Sequence, residues 1–303
     1  MSVLIVDTYS LFFRSFYALP PMNTLAGEPT SALYGFSSLL LKLLREQKPS
    51  GVAFAIDRPE PTFRHEAYAE YKGTRDAVPS DLARQFKPLE RLLDALGFPR
   101  FSVRGFEADD VLATLARELT EQGERTLITT GDRDMLQLVS PVVQVLFMGQ
   151  RGKPATLYDE AAVEARFGIP PARLPVYAAL VGDSSDNIPK VKGIGPVAAQ
   201  KLSLQFADIA SLVAHPERID NARLCSTIVE HREQLLASEL LIRLRADVPL
   251  PDGPRHAVLT REAVVTTRAL FEELEFKSLV PRLEALHKKG PCRRPAAHLP
   301  ARS

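Results

Sequence analysis

Apolar residues follow two rhythms along this chain. Val3-Leu4-Ile5-Val6, Val52-Ala53-Phe54-Ala55-Ile56 and Thr126 to Thr130 are short continuous runs, with the length and β-branched content of strands buried on both faces. Between them the spacing turns helical. Leu33, Phe36, Leu39, Leu40, Leu43 and Leu44 predict a helix over 31–44, stopped by Pro49-Ser50-Gly51. Another is predicted over 82–96, ended by Gly97-Phe98-Pro99, with a weak strand at 101–103 behind it. Val111, Leu112, Leu115, Ala116 and Leu119 mark a helix opening at the acidic stretch Glu107-Ala108-Asp109-Asp110, and Gly123 is its expected C-cap. Residues 142–148 read as a strand and 149–153 as a hairpin turn, followed by helices over 158–167, 174–180 and 197–204. The alternation predicts an α/β fold, a mostly parallel central sheet flanked by helices, over residues 1–169. A second, helical part is expected from Pro170-Pro171 to residue 285. Residues 286–303, rich in Pro, Arg and Lys without apolar periodicity, are expected to be a disordered tail.

One segment breaks the rhythm. Between Arg58 and about residue 82, Pro59, Pro61 and Pro79 bracket a polar stretch in which Arg64, Tyr68, Tyr71, Lys72 and Arg75 recur at helical spacing. Cations beside stackable tyrosines are what a single-strand binding surface needs, although a solvated amphipathic helix would look the same. Its place directly after Asp57 favours the binding surface.

A chain of 303 residues with 45% hydrophobic and 25% charged content can bury a sizeable core. Cys225 and Cys292 are too few for a disulfide framework and lack metal-ligand spacing, which fits a reducing compartment. Asp7 interrupts the apolar N-terminal run and no basic region precedes it, so neither a signal peptide nor a membrane span is expected, and the protein is expected in the cytoplasm. The net charge of +1 hides its distribution. With nine acids set aside for one site, the remaining 28 face 38 Lys and Arg, an excess that permits a phosphate-binding surface around an acidic hole.

The candidate chemistry lies in those acids. Acids at one helix start are ordinary caps that favour the macrodipole. Here Asp7, Asp57 and Asp132 each stand at or just past the end of an apolar run, so a parallel sheet would bring them to one edge with Glu107, Asp109 and Asp110. Asp134 comes directly after, and Asp183 and Asp186 add two carboxylates in the loop Gly182-Asp183-Ser184-Ser185-Asp186-Asn187. Only cations could hold so many carboxylates together. An all-oxygen set suits Mg²⁺ or Mn²⁺, and two such ions about 4 Å apart clamp the attacking water and the leaving oxygen of a phosphodiester. No Ser/His or Cys/His arrangement competes, because the six His are scattered. Farther on, Gly193-Ile194-Gly195-Pro196 opens a helix among Lys190, Lys192 and Lys201. Glycines admit a phosphate to the backbone and the helix start presents free N–H groups, the logic of a helix-hairpin-helix on duplex DNA.

Taken in order, these stretches resemble the 5′-nuclease (flap endonuclease) family, and within it the 5′-3′ exonuclease domains of bacterial DNA polymerases I. The motifs that carry the likeness are Val6-Asp7 through Arg14-Ser15-Phe16-Tyr17-Ala18, Phe54-Ala55-Ile56-Asp57 with Pro61-Thr62-Phe63-Arg64, and Tyr71-Lys72-Gly73-Thr74-Arg75. Glu107-Ala108-Asp109-Asp110, Thr130-Gly131-Asp132-Arg133-Asp134, Gly182 to Pro189 and Gly193-Ile194-Gly195 complete them, so that the likeness spans residues 2–285. It implies a nuclease core with a helical arch at about 58–82, and a C-terminal helix-hairpin-helix-like (SAM-like) module that also holds K⁺ against duplex DNA. It assigns one metal to Asp7, Asp57, Glu107 and Asp109. The other falls to Asp109 or Asp110 with Asp132, Asp134, Asp183 and Asp186, some acting through water. By the same likeness Lys72 and Arg75 contact the scissile phosphate, Arg64 and Tyr68 the threaded strand, Arg14 a nearby phosphate, and Lys190, Lys192, Gly193, Gly195 and Lys201 the duplex. The implied substrates are 5′ flaps, nicks, single-strand/duplex junctions and RNA-primed DNA. The implied setting is replication and repair beside a DNA polymerase and a ligase, as a monomer at the nucleoid of a bacterium. No polymerase part comes after it in this sequence, so a free-standing nuclease is expected.

Three other readings compete. A haloacid dehalogenase-type phosphatase needs an Asp two residues after its first, where this chain has Tyr9. A PIN-type ribonuclease would share the acidic sheet edge but lack the hairpin and the basic arch. A non-catalytic DNA-structure-binding protein would tolerate the loss of site acids, and every position of the set is filled here.

Overall fold

The computed structural model describes residues 2–149 and 154–288. Its centre is a six-stranded sheet of order β3-β2-β1-β4-β5-β6, formed by β1 (Ser2–Asp7), β2 (Gly51–Ala55), β3 (Arg100–Phe101), β4 (Arg125–Thr130), β5 (Val143–Phe147) and β6 (Thr156–Tyr158). The pairings from β3 through β5 are all parallel, and β6 closes that edge antiparallel to β5. The chain first builds outward from β1 through β2 and β3, then returns to add β4 and β5 on the other side. The order therefore reverses between β1 and β4, where open parallel sheets leave a crevice beyond their carboxyl ends.

The strands read as continuous apolar runs because both faces are covered. Leu4, Val6, Val52, Phe54 and Leu127 belong to one core, and Val3, Ile5, Ala53, Ala55 and Ile128 to the other, as the period of two requires. On the first face lie α1 (Thr8–Ala18) and α2 (Ser31–Gln47); after the short α3 (Phe63–Ala67) and α4 (Ser80–Ala83), α5 (Phe86–Leu96) joins them. Phe86 ties α5 to α1, its ring 5.2, 5.4 and 6.1 Å from those of Tyr9, Phe12 and Phe13. The second face is covered by α6 (Ala108–Glu121) and α7 (Glu160–Phe167). A third core, with Val176, Leu180, Leu202, Phe206 and Leu235 in it, joins α8 (Leu174–Val181), α9 (Pro196–Gln205), α10 (Ile209–Ala214), α11 (Ala222–Glu230) and α12 (Arg232–Ile242).

Several expectations need correction. The helical part does not continue as one body to residue 285. Ala257 exchanges backbone hydrogen bonds with Val52 (2.8 and 3.1 Å), and α13 (Arg261–Glu273) and α14 (Val280–Lys288) supply Val264, Leu270, Phe271 and Leu283 to the first sheet core. The tail expected from residue 286 begins no earlier than the end of α14 at Lys288, and residues 289–303 lie outside the described part, as do 150–153 of the expected hairpin turn. Tyr158 is not helical: it pairs with Val145 in β6, and Asp159 starts α7 by accepting a hydrogen bond from the Ala162 amide. The expected helix over 82–96 breaks at Gln85, whose buried side chain binds the Leu33 amide (3.1 Å) and the Asp81 carbonyl (2.9 Å). Over 63–75 of the arch segment only α3 is helical: Tyr68 ends it with an extended φ of −147°, and Lys72 adopts a left-handed φ of 56° that prevents a helix from resuming. Its cations and tyrosines therefore do not share a helix face.

At Gly182 the fold depends on one missing side chain. α8 ends there with φ 74° and ψ 170°, and a Cβ would lie 2.5 Å from the Lys190 amide nitrogen and 2.8 Å from the Ile188 oxygen. Asp183 and Ile188 close the next loop with mutual backbone hydrogen bonds of 3.0 and 2.7 Å. Gly182→Ala is therefore expected to cost at least about 1–3 kcal/mol, seen as a lower urea midpoint. A midpoint equal to the parent's would mean that the loop tolerates the extra carbon.

Candidate active site

The carboxyl ends of β1 and β4 are laced together by side chains. Asp7 ends β1 and caps α1, its Oδ1 accepting from the Ser10 amide (3.2 Å) and its Oδ2 from the Thr130 hydroxyl at 2.6 Å. Thr130 Oγ1 in turn accepts from the Asp132 amide (2.9 Å), and Asp132 Oδ1 from the Asp134 amide (2.8 Å). Across the gap the Gly131 amide donates to Ser10 Oγ at 2.8 Å. From β2, Asp57 accepts the Ala108 amide at 2.8 Å, which brings the start of α6, with Glu107 at its N-cap, to the same edge. The sheet order thus delivers Asp7, Asp57, Glu107, Asp109, Asp132 and Asp134 to the crevice, and the loop after α8 adds Asp183 and Asp186.

These carboxylates resist ionising together. Burial, then the charge of Asp57, pushes Asp7 up to about 7, against the hydrogen bonds from Thr130 and Ser10. Asp109 and Asp134 are raised well above the carboxylate range, by burial first and then by Asp132. Burial also raises Asp57 and Asp132, the latter with repulsion from Asp186 and Asp183. Among the described residues no three acid, imidazole or thiol groups are drawn close enough to hold an ion as they stand. Like charges spread when nothing positive lies between them. As a donor set they are all hard oxygens, buried at Asp7, Glu107 and Asp186 and half-buried at the others, and they fit divalent cations such as Mg²⁺ or Mn²⁺.

The arch segment supplies the positive side of the site. Lys72 Nζ lies 2.9 Å from Glu107 Oε1 and 3.9 Å from Asp186 Oδ2, and Arg75 Nη2 lies 2.9 Å from Asp186 Oδ1. Burial acts to lower the Lys72 ammonium, but Glu107 and Asp186 together raise it above its ordinary value. The Tyr71 hydroxyl sits between the same two acids, 3.0 Å from Glu107 Oε2 and 2.9 Å from Asp186 Oδ2. Sequence spacing puts Tyr71 only in the arch pattern and does not single out Ser10 or Thr130. The available signal for Thr130 is its position at the end of β4, one step before the turn to Asp132.

Two site assignments are corrected. Asp110 faces away from the crevice and is completely buried. Its oxygens accept from Arg64 Nη1 (2.6 Å), Arg64 Nη2 (2.8 Å), the Arg245 amide (2.9 Å) and the Glu107 amide (3.3 Å), which leaves no lone pair directed at a metal. Arg64, expected on a threaded strand, is 1% exposed and occupied by Asp110. The other expected contacts remain accessible to different degrees. Tyr68 is half-buried, its hydroxyl donating to Glu70, and Arg14 is half-buried on α1, where burial lowers its guanidinium below the ordinary value. Lys190, Lys192 and Lys201 are exposed around the turn into α9. There Gly193 takes a φ of 93°, and Gly195 is an N-cap with no side chain on the first amides.

Residues 2–168 match the family described as the 5′-3′ exonuclease N-terminal resolvase-like domain, and residues 169–263 the 5′-3′ exonuclease C-terminal SAM fold. DNA polymerase I of Bacillus caldotenax is 37% identical over 286 residues, covering 93% of this chain and 32% of that protein. The thermostable DNA polymerase I of Thermus thermophilus is 40% identical over 291 residues, covering 95% and 34%. The chain thus spans about a third of the length of these relatives. In fold it is similar to the T5 5′-exonuclease with bound zinc ions, with a TM-score of 0.63 at 20% identity over 95% of this chain and 100% of the other. It is likewise similar to the catalytic core of Rad2 in complex with DNA substrate, with a TM-score of 0.60 at 18% identity over 94% and 92%.

The raised acids give the metal-free protein a definite pH dependence. A carboxyl whose folded value lies above its unfolded 3.8 binds more protons when folded, so its stabilising contribution is lost as pH rises. For Asp7 the window runs from about 4 to about 7, at about 1.4 kcal/mol per pH unit. Asp7→Asn is expected to melt at a higher temperature than the parent at pH 8 in chelator, with the gap closing toward pH 4. Parallel melting curves across that range would remove Asp7 as the source.

Proposed function

Since the chain belongs to the 5′-3′ exonuclease family, we propose that it hydrolyses DNA phosphodiesters as a divalent-metal-dependent, structure-selective 5′ flap endonuclease and 5′-3′ exonuclease. Okazaki-fragment processing and DNA repair are the processes that use such an activity. The observation that carries the reading is the gathering of repelling carboxylates at the switch point of the sheet, with Lys72 and Arg75 reaching into them from the arch.

In this reading Asp7, Asp57, Glu107 and Asp109 hold one Mg²⁺ or Mn²⁺, and Asp132, Asp134, Asp183 and Asp186, with Asp109 shared, hold another. When bound, such a pair activates water and stabilises the leaving oxygen of a phosphodiester. Lys72 and Arg75 act as the catalytic cations. They exchange Glu107 and Asp186 for the oxygens of the scissile phosphate, which brings positive charge to the atoms where negative charge develops. Tyr71 keeps Glu107 and Asp186 at a fixed separation while that exchange occurs. Arg14 and Tyr68 serve the single strand. Lys190, Lys192 and Lys201, with the open amides at Gly193 and Gly195, grip the duplex, and the same turn is the candidate K⁺ site.

The substrates proposed are flaps, nicks and junctions, including RNA-primed 5′ ends, handled by a monomer beside a DNA polymerase and a ligase. The setting proposed is the bacterial cytoplasm at the nucleoid. Among the described residues no helix is long and apolar enough to cross a membrane. Two working parts are proposed: a nuclease core over 1–169, and a duplex-binding part that starts at residue 170.

The direct test is a 5′-labelled flap on a nicked duplex, incubated with Mg²⁺, Mn²⁺ or chelator. Release of a short 5′ oligonucleotide only with metal is expected, and an intact flap under all three conditions would refute the reading. Lys72→Ala and Arg75→Ala are expected to slow single-turnover cleavage about 100-fold or more while flap affinity in Ca²⁺ stays near the parent's. Equal losses in rate and affinity would reduce both residues to general phosphate contacts. Lys192→Ala and Lys201→Ala should each flatten the salt dependence of duplex binding by about one unit with little change in rate at saturating DNA. An unaltered slope would place these lysines off the duplex.

A further inference from the structure

Among the described residues Arg64 is the largest side chain that is fully buried, and a charge there needs a reason. Each of its three nitrogens has an acceptor. Nε binds the Leu241 carbonyl on α12 at 2.6 Å, and the two terminal nitrogens grip Asp110 at 2.6 and 2.8 Å. Nη1 also lies 3.3 Å from Glu107 Oε2, the oxygen that Tyr71 touches. Asp110 in turn holds the Glu107 amide within the capping box of α6 and the Arg245 amide from the chain beyond α12. Phe63 and Phe106 pack over these groups, with the Arg64 and Arg245 guanidinium carbons 4.5 and 5.8 Å from the Phe63 ring centre.

An ion pair this deep is a poor stabiliser, because desolvation offsets its attraction and apolar side chains of equal volume would fill the space as well. What it supplies is orientation. The planar fork fixes two carboxylates at once, and three separate stretches of chain, α3, the start of α6 and the segment 241–245, meet on it. We propose that Arg64 is the positioning residue of the site, setting the rotamer of Glu107 from behind, and that Asp110 is the counter-charge that aims Arg64 rather than a metal ligand. The assignment rests on the nuclease reading. It also makes α12 part of the catalytic geometry, since the Leu241 carbonyl and the Arg245 amide hold the pair from the helical side.

The test compares R64M, R64K, D110N and the double variant R64M/D110N with the parent. The assays are single-turnover cleavage of a 5′ flap in a Mg²⁺ titration, flap affinity in Ca²⁺ and thermal melting. A parent that cleaves no flap would refute the nuclease reading itself, a result distinct from any loss confined to the variants. R64M and D110N should each slow cleavage by about 10–100-fold, the range seen for groups that orient ligands, with flap affinity within about threefold of the parent. R64K should recover part of the R64M loss. The double variant buries no net charge, so it should melt above both single variants and yet cleave no faster than they do. If either single variant fails to fold, the double variant decides alone. Parental cleavage by a folded double variant would mean that the pair is structural only. Parental cleavage by R64M beside a slow D110N would make Asp110 an independent ligand. Either result overturns the proposal.

Discussion

Mutual repulsion among buried carboxylates is the constraint on which this structure turns. A parallel sheet whose strand order reverses between β1 and β4 brings Asp7 and Asp132 to one crevice, and Asp57 draws the start of α6 into it. No packing gain explains that arrangement. Burial and neighbouring charge raise Asp7, Asp109 and Asp134 together, so the protein holds free energy in the site that only positive charge can release. The surrounding elements supply that charge in a graded way. Arg64 is locked and permanent, Lys72 is half-buried, and Arg75 is exposed at the rim.

That gradation explains why the segment after β2 is not the amphipathic helix its spacing suggests. A helix over 63–75 would satisfy its own backbone and turn Arg64, Tyr71, Lys72 and Arg75 to one side, but it would spread them over about 16 Å of its axis, too far apart to meet on Glu107 and its neighbours at once. The observed chain forms one short helical turn and then loops, and Lys72 and Asn187 make the joins through the Asp186 and Glu70 carbonyls. The arch base is held to the loop after α8 and to the start of α6 by apolar packing of Tyr71 and Tyr68 on the third core and of Phe63 on Phe106, while Lys72 and Arg75 add only polar contacts. Polar contacts of this kind can exchange partners with an incoming phosphate without unpacking the fold.

Much of the fold was legible in the sequence because its signals are local. β1, β2 and β4 are continuous apolar runs ended by an acid, and α2 and α6 have clear apolar faces. The arch was not legible, since its conformation is decided by partners such as Glu107 and Asp186 that lie far away in sequence. Tyr158 was misread because an aromatic residue just before a capping Asp fits the end of a strand as well as the first turn of a helix. At the site, the eight carboxylates that converge are those that stand at strand ends, at the start of α6 or in the loop after α8. Asp110 was the exception, and the reason is geometric. Successive helical side chains point about 100° apart, so of Asp109 and Asp110 only one can face the crevice. Arg64 decides which, and its burial could not be read from spacing.

The central place of β1 also bears on the order in which the molecule assembles. Its first neighbour, β2, comes within 50 residues, but its second, β4, begins at Arg125, and the Thr130–Asp7 hydrogen bond spans 123 residues. Closing so long a loop is slow compared with forming the local pairing of β1, β2 and the α1–α2 layer. A growing chain can therefore bury Phe12, Phe36 and Phe54 on one face while Asp7 and Asp57, already neighbours through the β1–β2 pair, are still hydrated. The rest of the electrostatic cost, carried by Asp109, Asp132 and Asp134, arises only when α6 and β4 dock, by which stage the hydrophobic layer beneath is already in place. A fold that gathered the same acids from adjacent hairpins would have met that repulsion at its first step.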